Sequence, residues 1–155
     1  MVETREVDLS VEEIDAFLSR CETGVLSLAR GDEPYAIPIS YGYDADSRRL
    51  YLRLVSLPDS EKRTFLTSEP AARLVVYDGD DEGTRYTSVV IEGVLERIDE
   101  SELSVETIEQ FGRTRRPLFE IWAADRSEVN IELYRLDPDT ISGRRAEVDR
   151  SQDGW

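Results

Sequence analysis

Residues 23–55 read TGVLSLARGDEPYAIPISYGYDADSRRLYLRLV. Aliphatic, aromatic and β-branched side chains fill 23–29, 35–43 and 49–55, and Gly31-Asp32-Glu33-Pro34 and Asp44-Ala45-Asp46-Ser47 lie between them. Gly, Pro, Asp and Ser favour turns because they supply turn dihedrals or bond their own backbone. The stretch therefore predicts three strands joined by tight connections, a meander.

Upstream, Ser10 and Glu13 form a capping-box pattern, and Val11, Ile14, Phe17 and Leu18 follow at helical spacing, which predicts a helix over 10–20. Downstream, PDSEKRTFLTS at 58–68 predicts a short helix with proline near its first turn, ended by Pro70. ARLVVYD at 72–78 is a fourth strand, and TRYTSVVIEGVLERI at 84–98 is the longest, with Gly93 marking a bulge or a barrel bend. Residues 99–111 are helix-like and NIELYRL at 130–136 is a further strand. A turn at Asp137-Pro138-Asp139, a short strand TISGRR and a fraying tail at 146–155 are expected to follow. Six or seven strands with two or three short helices predict a mainly β fold, a barrel with peripheral helices. The helices do not alternate with the strands as a doubly wound sheet requires. No repeat, low-complexity tract or linker divides residues 1–155, so one domain is expected.

Composition narrows the function. Hydrophobic residues make up 39% of the 155, enough for a core. No apolar run approaches the roughly 18–20 residues that span a bilayer, and MVETREVDLSVEE lacks the features of a signal peptide. A soluble cytoplasmic protein is expected. Cys21 is the single cysteine and there is no histidine, which removes disulfide frameworks, the usual zinc sites and every histidine-dependent nucleophile. No GxxxxGK or GxGxxG phosphate loop is present. Thirty-four acids face nineteen bases for a net charge of −15, and Lys62 is the only lysine. An acidic partner-binding surface and adaptation to concentrated salt both fit this balance. Acids scattered along the whole chain, together with the avoidance of lysine, favour salt, which screens self-repulsion. Binding to nucleic-acid phosphates is disfavoured, because it needs a basic footprint. With so many acids, carboxylate pairs carry no information, since charged groups overwhelmingly stay in solvent.

One cluster stands above this background. Ser60, Glu61, Lys62 and Arg63 open the helix expected at 58–68, and two cations beside unpaired helix N–H groups suit an anion. The same residues also fit a solvated surface on which Arg63 pairs with a carboxylate.

The succession GVLSLARGDEPYAIPISYGYD, RRLYLRLV, SEKRTFL, ARLVVYD and YTSVVIEGVLERID resembles the FMN-binding split β-barrel superfamily, and is most similar to its small pyridoxamine 5′-phosphate oxidase-like branch. The resemblance covers residues 10–100 well and the C-terminal third loosely. It implies a homodimer with FMN at the subunit interface and redox chemistry on a small-molecule substrate. It further implies that Pro38, Ile39 and Ser40 lie along the flavin ring, and that Arg53, Leu54 and Val55 flank the ring or ribityl chain. By the same carry-over Lys62 and Arg63 grip the phosphate and Ser88 reaches the flavin from the long strand. Barrel packing alone also accounts for Pro38, Ile39 and Leu54, and a strand hydroxyl for Ser88. Ala36 and Tyr41 stand where pyridoxamine phosphate oxidases proper place basic residues, which argues against that substrate. The histidine found near the flavin in relatives linked to nitroimidazole reduction is missing. Arg144 and Arg145 could approach a phosphate. A flavin-binding store or sensor, a deazaflavin-binding barrel and a cofactor-free acidic module remain alternatives; haem is disfavoured without histidine.

Overall fold

A computed structural model describes residues 3–56, 65–66, 70–99 and 130–149. The elements run β1 (Glu3–Asp8), α1 (Val11–Arg20), β2 (Thr23–Arg30), β3 (Glu33–Asp44), β4 (Arg49–Ser56), β5 (Ala71–Gly79), β6 (Arg85–Ile98) and β7 (Asn130–Asp149). The capping box forms as its spacing requires: Ser10 Oγ accepts from the Glu13 N–H at 3.2 Å, and Glu13 Oε1 accepts from the Ser10 N–H at 3.1 Å. A cap of this kind is worth about 1 kcal/mol. No described helix is long and apolar enough to cross a membrane.

The meander over 23–55 is present, with a tighter first turn than the sequence suggests. Arg30 pairs with Glu33, so Gly31 and Asp32 alone make the turn and Pro34 already belongs to β3. Gly31 sits at φ +60°, and glycine first in a two-residue loop is the type II′ pattern, whose twist matches that of the flanking strands.

All strand pairs are antiparallel. The sheet order is β1-β7-β4-β3-β2-β5-β6, and a further β6–β7 pairing closes strands β2 to β7 into a barrel. This is the split β-barrel that the sequence predicts. Alternation sends Leu26, Leu52, Leu74, Ile91 and Leu136 inward, each fully buried. Ile14, Phe17 and Leu18 of α1 pack against the same core. The Tyr41 hydroxyl donates to the Leu18 carbonyl at 2.8 Å, and the Tyr43 hydroxyl to Asp15 Oδ1 at 2.6 Å. Two tyrosines of β3 thereby hold the helix.

The C-terminal region corrects two expectations. Asp137-Pro138-Asp139 is not a turn: β7 runs through it without interruption, and residues 146–149 of the expected tail are strand as well. Glu92 pairs with Thr140 and Gly93 with Pro138, so Asp139 is the extra residue of a bulge. Proline is tolerated in a sheet at such a place. Gly93 makes the room, because a Cβ there would overlap the Asp137 carbonyl. The second half of β7 is also held by β1, a strand not expected from ETREVD, where Thr4 pairs with Val148 and Glu6 with Ala146. Of the helices expected at 58–68 and 99–111, all but Phe65, Leu66 and Asp99 lies outside the described residues.

Candidate functional site

Strands β3 and β4 part from each other. They pair only from Tyr41↔Leu52 to Asp44↔Arg49. Beyond Tyr41, the first part of β3 stays with β2, from Ser40↔Thr23 to Glu33↔Arg30. Beyond Leu52, β4 continues along β7, from Arg53↔Leu133 to Ser56↔Asn130. The result is a fork in the barrel wall. Its two arms begin at Ser40 and Arg53.

Six residues singled out in the sequence lie on these arms: Pro38, Ile39 and Ser40 on one, Arg53, Leu54 and Val55 on the other. The backbone direction on the β3 arm follows from one hydrogen bond. The Tyr41 N–H donates to the Glu22 carbonyl at 3.0 Å, toward β2. Backbone groups alternate sides along a strand, so the Ser40 N–H and the Pro38 carbonyl face the fork. Among the described residues, no strand pairs with that edge.

Side chains divide by face. Ile39 and Leu54 point into the barrel and belong to its core, so they meet a ligand in the fork through backbone alone. Pro38, Ser40 and Arg53 take the opposite face. Pro38 is exposed and Arg53 half-buried, while Ser40 is only 6% exposed. Ser40 Oγ nevertheless has no hydrogen-bond partner among the described residues. A buried hydroxyl left in that state costs about 1–3 kcal/mol. Of Val55 only the backbone is described, paired with Ile131. At the open end of the β3 arm, Tyr35 stacks on Phe65 with ring centroids 4.8 Å apart and planes 17° from parallel. Phe65 follows Arg63 by two residues in the chain. Ser60, Glu61, Lys62 and Arg63 themselves lie outside the described residues.

Ser88 is not brought to the fork. It sits on β6, between Tyr77 of β5 and Arg144 of β7, with β2 and β5 intervening before the β3 arm. Arg145 pairs with Glu13 at 3.0 Å, and Arg144 stands 3.9 Å from both Glu6 and Asp8, so both arginines face the N-terminal segment. The buried Ser40 hydroxyl and the Tyr35–Phe65 stack carry no sequence signal of their own, because both depend on where the strands diverge.

A second cavity, about 660 Å³, is bordered by Arg5, Asp80, Thr84, Arg85 and Glu147. Several of its polar groups engage one another: Asp80 accepts from the Thr84 and Arg85 N–H groups at 2.7 and 3.0 Å, and Arg85 pairs with Glu147 at 3.4 Å. The fork, with an orphaned buried hydroxyl and an unpaired backbone edge, is the better ligand site.

The profile of the pyridoxamine 5′-phosphate oxidase family matches residues 10–145. The chain belongs to that family. The match extends well past residue 100, so the C-terminal third is included. Among solved structures, a FAD-binding protein from Mesorhizobium loti is 22% identical, with a TM-score of 0.67 over 95% of this chain and 99% of that one. The FAD-binding protein from Mycobacterium smegmatis is 18% identical, with a TM-score of 0.63 over 91% and 98%. A Bacteroides thetaiotaomicron protein named for 5-nitroimidazole antibiotic resistance is 16% identical, with a TM-score of 0.69 over 96% and 93%. At these identities the likeness establishes the fold. Comparison with curated proteins finds no match.

Proposed function

We propose that this chain binds FMN in the fork between β3 and β4 and acts, as a homodimer, as an oxidoreductase on a small molecule. The observation that carries the reading is the fork itself. Its outward crotch holds the Ser40 N–H and the orphaned Ser40 hydroxyl, with the Arg53 side chain on the same face. A flat ring with acceptor atoms along one edge fits that set. Pro38 supplies an apolar rim, and the backbone at Ile39 and Leu54 a firm wall, since their side chains are locked in the core. Lys62 and Arg63 are assigned to the phosphate. FMN would supply hydride and electron transfer, and the chain's part is to orient the ring and fix the field around it.

Charge supports the dimer. The outward row Pro38, Val25, Val75, Val90 and Ser142 crosses five strands without a charged residue. In a chain of net charge −15, that row is a place where two copies approach without repulsion. Ser88 and Tyr77 stand on the same face, and Tyr77 is 70% exposed. Ser88 therefore joins the site, in this reading, from the second subunit. The acid excess is assigned to a salt-loaded cytoplasm.

Flavin content is the test. Protein purified in high salt, incubated with FMN and desalted is expected to retain oxidised-flavin absorbance, and mass analysis of the released cofactor distinguishes FMN from FAD. Reduction by a nicotinamide faster than that of free FMN supports turnover; retained flavin without it leaves a store or sensor. No retained flavin defeats the proposal.

A further inference from the structure

The cavity bordered by Arg5 and Glu147 lies at the other end of β7 from the fork, whose β4 arm pairs with residues 130–133. Two opposite charges are left unused there. Glu147 is the register partner of Arg5 on β1 and of Arg85 on β6, so the three side chains share one face. Arg85 stands 3.4 Å from Glu147. Arg145 holds Glu13 at 3.0 Å, while its buried Nε, 3.7 Å from Glu147, has no hydrogen-bond partner among the described residues. Arg5, Arg85 and Arg145 thus flank Glu147, and Arg5 makes no ion pair or hydrogen bond among the described residues. This wall carries surplus positive charge. Another wall, the turn between β5 and β6, is acidic. Its Asp80 is occupied by the Thr84 and Arg85 N–H groups at 2.7 and 3.0 Å. Glu82 lines the same space with no partner among the described residues.

Arg5 and Glu82 therefore border one cavity of about 660 Å³ and do not pair across it. That volume lies within the roughly 300–1,000 Å³ of small-molecule sites. A simple anion would meet Glu82 there, and a simple cation would meet Arg5. No cluster of carboxylates suited to a metal ion occurs among the described residues. A molecule that carries both signs satisfies both walls, and no native pair has to break. We propose that this cavity is a second, weaker site for a polar zwitterion of the amino-acid type. The ligand carboxylate bonds to Arg5 and Arg85, whose planar forks suit it, and its ammonium to Glu82. Val148 is the one apolar residue of the lining, so a polar side chain is preferred to an aliphatic one. The site does not depend on the flavin reading.

Calorimetric titration of the full chain with L-glutamine, at about 0.15 M KCl, tests the site. Binding is expected, and it should weaken as salt rises. Acetate and ethylamine each carry one half of the zwitterion and are expected to bind more weakly than glutamine. Arg5→Gln and Glu82→Gln are each expected to lower the affinity for glutamine about fivefold, the upper value of an exposed ion pair. Both side chains are exposed and unpaired, so Tm should match the parent and a loss of binding is then a loss of the site. Arg5→Lys keeps the charge and is expected to retain most of the affinity. A parent that does not bind glutamine overturns the proposal, as do two variants that bind it unchanged. Acetate or ethylamine binding as tightly as glutamine would mean an ordinary ion site and overturn it too. Flavin content enters none of these outcomes, so this proposal and the flavin reading fail separately.

Discussion

Two strand pairs of this barrel make opposite use of the same material. β6 and β7 pair from Arg85↔Glu147 to Ile98↔Leu133, with one bulge to absorb an extra residue. β3 and β4 are also long, at 12 and 8 residues, yet their pairing ends at Tyr41↔Leu52. In the first pair the backbone is consumed by its neighbour and the outward side chains make ion pairs, such as Arg135–Glu96 at 2.7 Å and Arg85–Glu147 at 3.4 Å. In the second, a strand edge and a buried hydroxyl are left over. A sheet that saturates its backbone is stable and chemically silent. The place where saturation stops is where a ligand can bind.

That contrast predicts where substitutions act. The largest effect belongs to the fork. Replacing Lys62 and Arg63 together with alanine is expected to weaken FMN binding by about 3–6 kcal/mol, from 1.5–3 kcal/mol for each charge-assisted bond. Titration of the flavin-free protein with FMN measures it. Unchanged affinity would break the link between the fork and the residues that follow β4.

Gly93→Ala tests the closed seam. Its Cβ would overlap backbone at Asp137, which cannot swing aside as a side chain can. A loss of about 3 kcal/mol is expected from such overpacking, or roughly 6–12 °C in Tm for a domain of this size. Gly31→Ala is the control: it is left-handed but has nothing within 4 Å, and should lose only about 1 kcal/mol. Equal losses would show that the bulge is not fixed by that contact.

Salt sharpens the comparison at a smaller scale. The Arg73–Glu92 ion pair beside the seam is exposed, its side chains 59% and 45% accessible, so it is worth about 0–1 kcal/mol and is screened by salt. Repulsion within a chain of net charge −15 is screened by the same ions. The second term spans the whole molecule, so Tm is expected to rise from 0.1 to about 2 M KCl. A flat or falling Tm would mean that the pairs outweigh the repulsion, and would end the salt-adaptation reading.

The sequence exposes local structure more fully than pairing. The β2–β3 hairpin is legible because Gly31-Asp32 sits between two apolar strands, and α1 because Ser10 and Glu13 bracket its first turn. Asp137-Pro138-Asp139 misleads for a physical reason: the residue that makes proline acceptable there is Gly93, on another strand. β1 is missed because ETREVD has no apolar alternation; it is an edge strand, and charge on an edge discourages pairing with other chains. The six fork residues are found by resemblance, but YAIPISYGY and RLYLRLV look equally strand-like along their whole lengths. Nothing in either announces where the two separate. Ser40 differs from an ordinary strand serine only once its neighbours are in place.

The smallest effect concerns pH, and it separates two turns that feed the two regions. Glu13 caps α1, which Tyr41 and Tyr43 of β3 hold, and Asp80 caps the turn that leads into β6. The backbone and hydroxyl of Ser10 hold the Glu13 carboxyl below its ordinary 4.5, and the hydroxyl of Thr84 with the Arg85 backbone holds Asp80 below 3.8. A carboxyl with a depressed folded pKa stabilises when ionised. Its contribution is present above the unfolded value and disappears as pH falls through the folded one. General protonation of thirty-four acids also relieves repulsion over the same range, so the raw melting curve mixes two opposed trends. The difference between parent and variant removes the shared part. The Tm advantage of the parent over Glu13→Gln is expected to hold from pH 7 to about 5 and to shrink below 4.5. For Asp80→Asn the decline should begin lower, below 3.8. A difference that stays constant down to pH 3 would show that hydrogen-bond geometry, and not the ionised carboxylate, is what these caps contribute.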